Sequence, residues 1–188
     1  MAFQRVVVFF LTLAFSILLI DNLSANDDAR RAALADKERG LFKETKNHCR
    51  SFVEVSKIAV EKAGNVTNLI EDLKLLFVGE SLRNRRSGKH YIGNTKGARG
   101  DSGFKPELKD NSPQVEHAVA AIYIGKTMPP GTAEGIALIT EIAEPLAAGG
   151  KMNGSDVLLY SIGADIGQRL SGSNYKELPG VITRTLCN

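Results

Sequence analysis

No stretch of this chain keeps up the two-residue alternation of apolar and polar side chains that a half-buried strand needs, so a sheet-built fold is excluded. Val181 to Leu186 is the one segment with strand character. No internal repeat is visible, which excludes a solenoid. Cysteine occurs only twice, at Cys49 and Cys187, too sparsely for a disulfide-dense scaffold. The net charge is only +3, so the protein is not a general polycation. What remains is helix-forming sequence, and the expectation is an all-α, single compact domain of about five helices with one long glycine-rich loop.

The first residues carry a different signal. Arg5 precedes an uncharged, apolar run from Val6 to Ile20, and Leu23-Ser24-Ala25 supplies the small residues of a cleavage site. A helix over that run is roughly 22 Å long at ~1.5 Å per residue, short of a ~30 Å hydrocarbon core. Residues 1–25 therefore read as a secretory signal peptide, with an uncleaved anchor as the competing reading. Either way the folded part lies outside the cytosol, secreted or periplasmic, and membrane contact is expected only through an uncleaved N-terminal segment. In such a compartment an even cysteine count predicts a Cys49–Cys187 disulfide.

Residues 26–40 form a charged, alanine-rich leader, and residues 41–188 are expected to be the helical domain. From Leu41 the apolar positions Phe42, Thr45, Cys49, Phe52, Ser56, Ala59 and Ala63 predict one long amphipathic helix closed by Gly64. Asn65 or Thr67 caps the next, with Val66, Leu69, Ile70, Leu73, Leu76 and Phe77 as its face. So short a link predicts an antiparallel hairpin. A central helix is expected to start with Ser112 as N-cap and Pro113 at N1, and to end at Gly125. Its stripe of Gln114, His117 and Ala121 is small and polar, open to close approach by another helix. Thr132 can cap a helix running to Pro145. Asn153 or Ser155 can cap a last one, with Asp156 near its positive end and Leu158, Leu159, Ile162, Ile166 and Leu170 as its buried face. Tyr160, Gly163 and Gly167 form a second small-residue strip on it.

Several strings resemble known motifs and fail on context. Gly125-Lys126-Thr127 resembles the end of a P-loop, but position 120 is Ala where that loop needs glycine. Gly100-Asp101-Ser102-Gly103 resembles the nucleophile segment of chymotrypsin-like serine proteases, a family built on two β-barrels that this chain does not supply. Arg99-Gly100-Asp101 resembles an integrin-binding tripeptide, a length that recurs by chance.

Two sites stay open. Residues 86–111 break every periodicity, and between Arg83 and Lys109 the chain places eight cations against Asp101 and Glu107. Arg85, Arg86, Lys89, Lys96 and Arg99, with Tyr91 interleaved, are the candidate binding residues for an anionic surface, an anionic polymer or an acidic protein. Nucleic acid is a poor partner for an exported chain. The second site is His117 with Glu141 and Asp165, mid-helix residues of three successive helices. If three antiparallel helices bring them together, His117 becomes a general base or a metal ligand in a hydrolase-type or metal-dependent enzyme. The sequence names no cofactor. The binding module is the preferred reading and the enzyme the alternative.

Overall fold

The computed structural model describes residues 29–37, 39–78, 100–129 and 154–188. Helix covers 29–37 and 39–45, followed by α1 (His48–Ala63), α2 (Val66–Phe77), α3 (Gln114–Thr127), α4 (Gly154–Arg169) and α5 (Leu178–Thr185). Short 3-10 turns occupy Pro106–Leu108 and Tyr175–Glu177. Among the described residues the fold is all-helical, and its β character is confined to one antiparallel bridge between Phe104 and Cys187. The signal segment, the basic loop up to Arg99 and the helix expected after Thr132 lie outside the described residues.

The α1–α2 hairpin forms as its sequence dictates. Gly64 takes the left-handed conformation (φ +72°) that ends α1, and the Asn65 side chain accepts from the Asn68 N–H to start α2. Phe52 and Phe77 meet edge to face, with centroids 5.4 Å apart, over buried Leu69, Leu73 and Leu76. The helix expected to run unbroken from Leu41 does not. Lys46 adopts φ +47°, and Asn47 restarts the helix by accepting from the Arg50 N–H. The apolar period passes through the break because the segments on both sides face one core. Upstream, the charged leader is helical from residue 29, with Leu34 and Ala35 buried.

The central helix departs from expectation at both ends. Ser112 does not cap it; Pro113 holds that position without a side-chain bond, and the helix continues through Gly125 to Thr127. Gly125 is a site of close approach instead of a terminator. A Cβ there would sit 2.2 Å from the Ala164 carbonyl oxygen, and one on Gly167 would sit 2.1 Å from that of Ile122. Gly163 faces Ala121 and Ala118 in the same way. The two small-residue strips thus mate, and only glycine leaves room for backbones this close. Contacts advance together along both helices, from His117 against Tyr160 to the Lys126 ammonium donating to the Leu170 carbonyl. Helices α3 and α4 therefore run parallel.

This mating rotates α4 away from its expected buried face. Leu159, Ile166 and Leu170 are buried, but Leu158 is 40% exposed and Ile162 only half-buried. Val181 to Leu186, the one segment with strand character, lies almost wholly in α5. The Thr183 and Thr185 hydroxyls donate to the carbonyls one turn back, so β-branched residues are held in helix there. The Cys49–Cys187 disulfide is present, with Cα atoms 5.7 Å apart, and ties the C-terminus to α1.

Candidate functional site

Residues 100–113 join the glycine-rich stretch to α3, and nearly every turn of this junction is anchored. The Cys49 N–H donates to the Ser102 carbonyl, the Lys105 N–H to that of Leu186, and the Asn188 N–H to that of Gly103. Phe104 and Leu108 are fully buried beneath it. Gln114, itself buried, donates through Nε2 to the Leu108 carbonyl at 2.7 Å and to Asp110 Oδ1 at 2.8 Å.

At one end of the junction Ser102 meets His48, a pair the sequence did not mark because 54 residues separate them. The Ser102 Oγ lies 2.5 Å from His48 Nδ1, and the ring stacks on Phe42 with centroids 4.4 Å apart. Ser102 Oγ also accepts from the His48 N–H and lies 3.2 Å from the Lys46 carbonyl, while the Ser102 N–H points at Nδ1. Side chain and backbone of each residue bind those of the other. The hydroxyl is engaged as a cap on α1, so the pair is a fastener and the four-residue protease resemblance gains no chemistry from it.

At the other end is a polar cluster. His117 Nδ1 lies 3.1 Å from Asp156 Oδ1, and Ser112 Oγ lies 3.3 Å from the same oxygen. Ser112 donates to Asp110 through both its N–H and its hydroxyl. Ser155 Oγ donates to the Lys109 carbonyl, fastening the start of α4 to the junction. Because α3 and α4 are parallel, both N-termini open here, and the two carboxylates complement their positive ends.

Of the expected trio, His117 and Asp165 lie within the described residues, on α3 and α4. Asp165 pairs with Arg169 at 2.8 Å on an exposed surface. It lies nine residues past Asp156 on α4, roughly 13–14 Å along the axis at ~1.5 Å per residue. On α4 the carboxylate beside His117 is instead that of Asp156. Glu141 lies outside the described residues, as do Arg85, Arg86, Lys89, Tyr91, Lys96 and Arg99. Among the described residues no group of His, Cys, Asp or Glu side chains is arranged to hold a metal. Nor is any helix there long and apolar enough to cross a membrane. Asp156 had one sequence signal, its place in a first helical turn, but that said nothing of a partner on another helix.

The two aspartates titrate apart. Burial, reinforced by the neighbouring Asp156, raises Asp110 above the ordinary 3.8. Burial would raise Asp156 too, but hydrogen bonds from His117 and Asp110 outweigh it and bring Asp156 below that value. The signs follow by linkage. Asp156 contributes stability above its unfolded pKa, and this is lost as pH falls through its depressed folded value. Asp110 carries a penalty when ionised, relieved as pH falls through its raised value. Asp156→Asn is therefore expected to destabilise at neutral pH and to converge on the parent at the acid extreme. Asp110→Asn is expected to leave neutral stability unchanged or raised. Denaturant unfolding of both variants across pH checks this, and equal losses at neutral pH would contradict it.

No protein-family model, no curated protein and no solved structure matches the chain.

Proposed function

We propose that the protein is exported and acts as a binding module for an acidic protein partner, using the basic 86–111 loop and its junction with the central helix. The observation that carries this reading is the anchoring of residues 100–113 to α1, to the C-terminus and to α4. A cationic segment leading into a fixed base loses less freedom on binding than one leading into a mobile tether, and the saving appears as affinity. The disulfide supports a secreted or periplasmic location, where such bonds persist. The alternative, an enzyme centred on His117 with Glu141 and Asp165, has less support, since Asp165 is engaged with Arg169 and His117 with Asp156.

Poly-glutamate serves as the test probe. Binding is expected to weaken with added salt and to fall about tenfold or more when Arg85, Arg86 and Lys89 are all replaced by Glu. Anionic vesicles and anionic polysaccharide run alongside as the competing surfaces. Affinity for poly-glutamate that ignores both salt and the triple replacement would overturn the reading.

A further inference from the structure

Beside the junction, residues of α4 and α5 line an open, shallow cleft of about 510 Å³ with Lys105, Ser161, Ile162, Asp165, Arg184 and Thr185 on its walls. An adjoining hollow of about 260 Å³ shares Ile162, Asp165, Arg184 and Thr185 with it and reaches over Ile166, Leu170 and Val181 toward Asn174 and Glu177. We infer that this cleft is the docking site for a short acidic-aliphatic peptide segment of a protein partner, one carboxylate seated at Arg184 and its aliphatic neighbours on the floor. This deepens the binding-module reading and rests on it.

Apolar side chains of core type line a surface that no described element covers. Ile162 and Val181 are only half-buried, and Leu158, one turn before Ile162, is 40% exposed. Ile162 to Leu170, both in the lining, spans roughly 12 Å of helix at ~1.5 Å per residue, the length of about four residues of extended chain. Lys105 and Arg184 share the first hollow, and Arg184 also lines the second, with Arg169. Lys105 is held at the rim by donating to the Arg184 carbonyl at 2.8 Å, which leaves its ammonium further donors. Among the described residues no carboxylate pairs with the exposed Arg184 guanidinium, while Arg169 is matched by Asp165. Arg184 thus offers a planar two-point site for one carboxylate. Asp165 and Glu177 on the same rim repel a polyanion or a phosphate-dense surface. A single acid beside aliphatic residues satisfies all of these groups at once.

A random dodecapeptide display library panned on the full chain tests the inference. Selected sequences are expected to carry Asp or Glu within about four residues of Leu, Ile or Val. Their affinity should fall about tenfold or more in Arg184→Glu and in Ile162→Glu. Exchanging the peptide's acid for Lys should restore binding to Arg184→Glu, which a merely structural role of Arg184 would not do. Absence of enrichment, or peptides indifferent to Arg184→Glu, overturns the inference. So does a photo-crosslinker at position 158 that links to a second copy or to this chain's own residues 130–153. Peptide binding that survives replacement of Arg85, Arg86 and Lys89 but not of Arg184 keeps the cleft and removes the loop from the proposed function. The opposite pattern removes the cleft alone.

Discussion

Replacing Cys49 and Cys187 together by alanine is expected to lower the unfolding free energy by about 5 kcal/mol in the chain-entropy model. The bond closes a loop across a sequence separation of 138 residues, so its loss frees nearly the whole described chain in the unfolded state. The folded state would keep the contacts around it. Leu178, Ile182 and Leu186 are fully buried, and the Lys105 and Asn188 amides pin the last turn to the junction. The variant should therefore fold to the same helical structure and unfold earlier. In a domain of this size about 5 kcal/mol corresponds to roughly 10–20 °C in the melting midpoint. Thermal or urea unfolding of the oxidised chain, the reduced chain and the double variant measures it. The reduced chain and the variant should agree closely. A shift below about 1 kcal/mol would mean that the unfolded chain is already compact enough to hold its ends together.

The elements legible in the sequence were those whose signal is local. The α1–α2 hairpin follows from an apolar period, one glycine at the helix end and one asparagine after it, and all three act within a few residues. The small-residue strips on α3 and α4 were legible as strips, and the cysteine pair as a pair. Glycine itself is ambiguous, because it serves both positive φ and close approach. Gly64 does the first and Gly125 the second, and no local pattern separates them. The direction of α4 relative to α3 depends on how the chain travels from 130 to 153, which no periodicity encodes. His117 and Asp165 were read as mid-helix residues, but α3 starts at Gln114 and α4 ends at Arg169, so His117 lies in a first turn and Asp165 near a last one; with the helices parallel the first turns converge, and Asp156 lies 3.1 Å from His117. Leu158 and Ile162 had the spacing of a core stripe, yet the glycine contact turns them outward. Ile162, so turned, lines the cleft.

Asp72 was invisible in the sequence, one acid among the polar positions of α2, and its replacement is the second large effect expected. Its side chain is fully buried, and it accepts from Arg30 Nε at 2.7 Å, Arg30 Nη2 at 2.9 Å and Arg31 Nε at 2.9 Å. This two-oxygen, two-arginine arrangement is what docks the helical residues 29–37 on the hairpin, beside buried Leu34 and Ala35. Asp72→Ala removes a fully buried carboxylate shared by two arginines whose side chains are only 14% and 18% exposed. Breaking one side of a buried pair costs about 3–5 kcal/mol. The lower end applies here, because both arginines can swing out to water once the leading helix lifts. That motion gives the prediction a local signature. Trypsin should cleave after Lys43 and Lys46 far faster in Asp72→Ala than in the parent, while amide exchange in α3 and α4 stays slow. Replacing Arg30 and Arg31 together should destabilise at least as much, since the fully buried Asp72 carboxylate reaches solvent only if the leading helix lifts. The triple variant should recover part of the loss, a coupling that a double-mutant cycle reads directly. If Asp72→Ala melts within about 0.5 kcal/mol of the parent and its leading helix stays protected, Leu34 and Ala35 hold that helix without the charges.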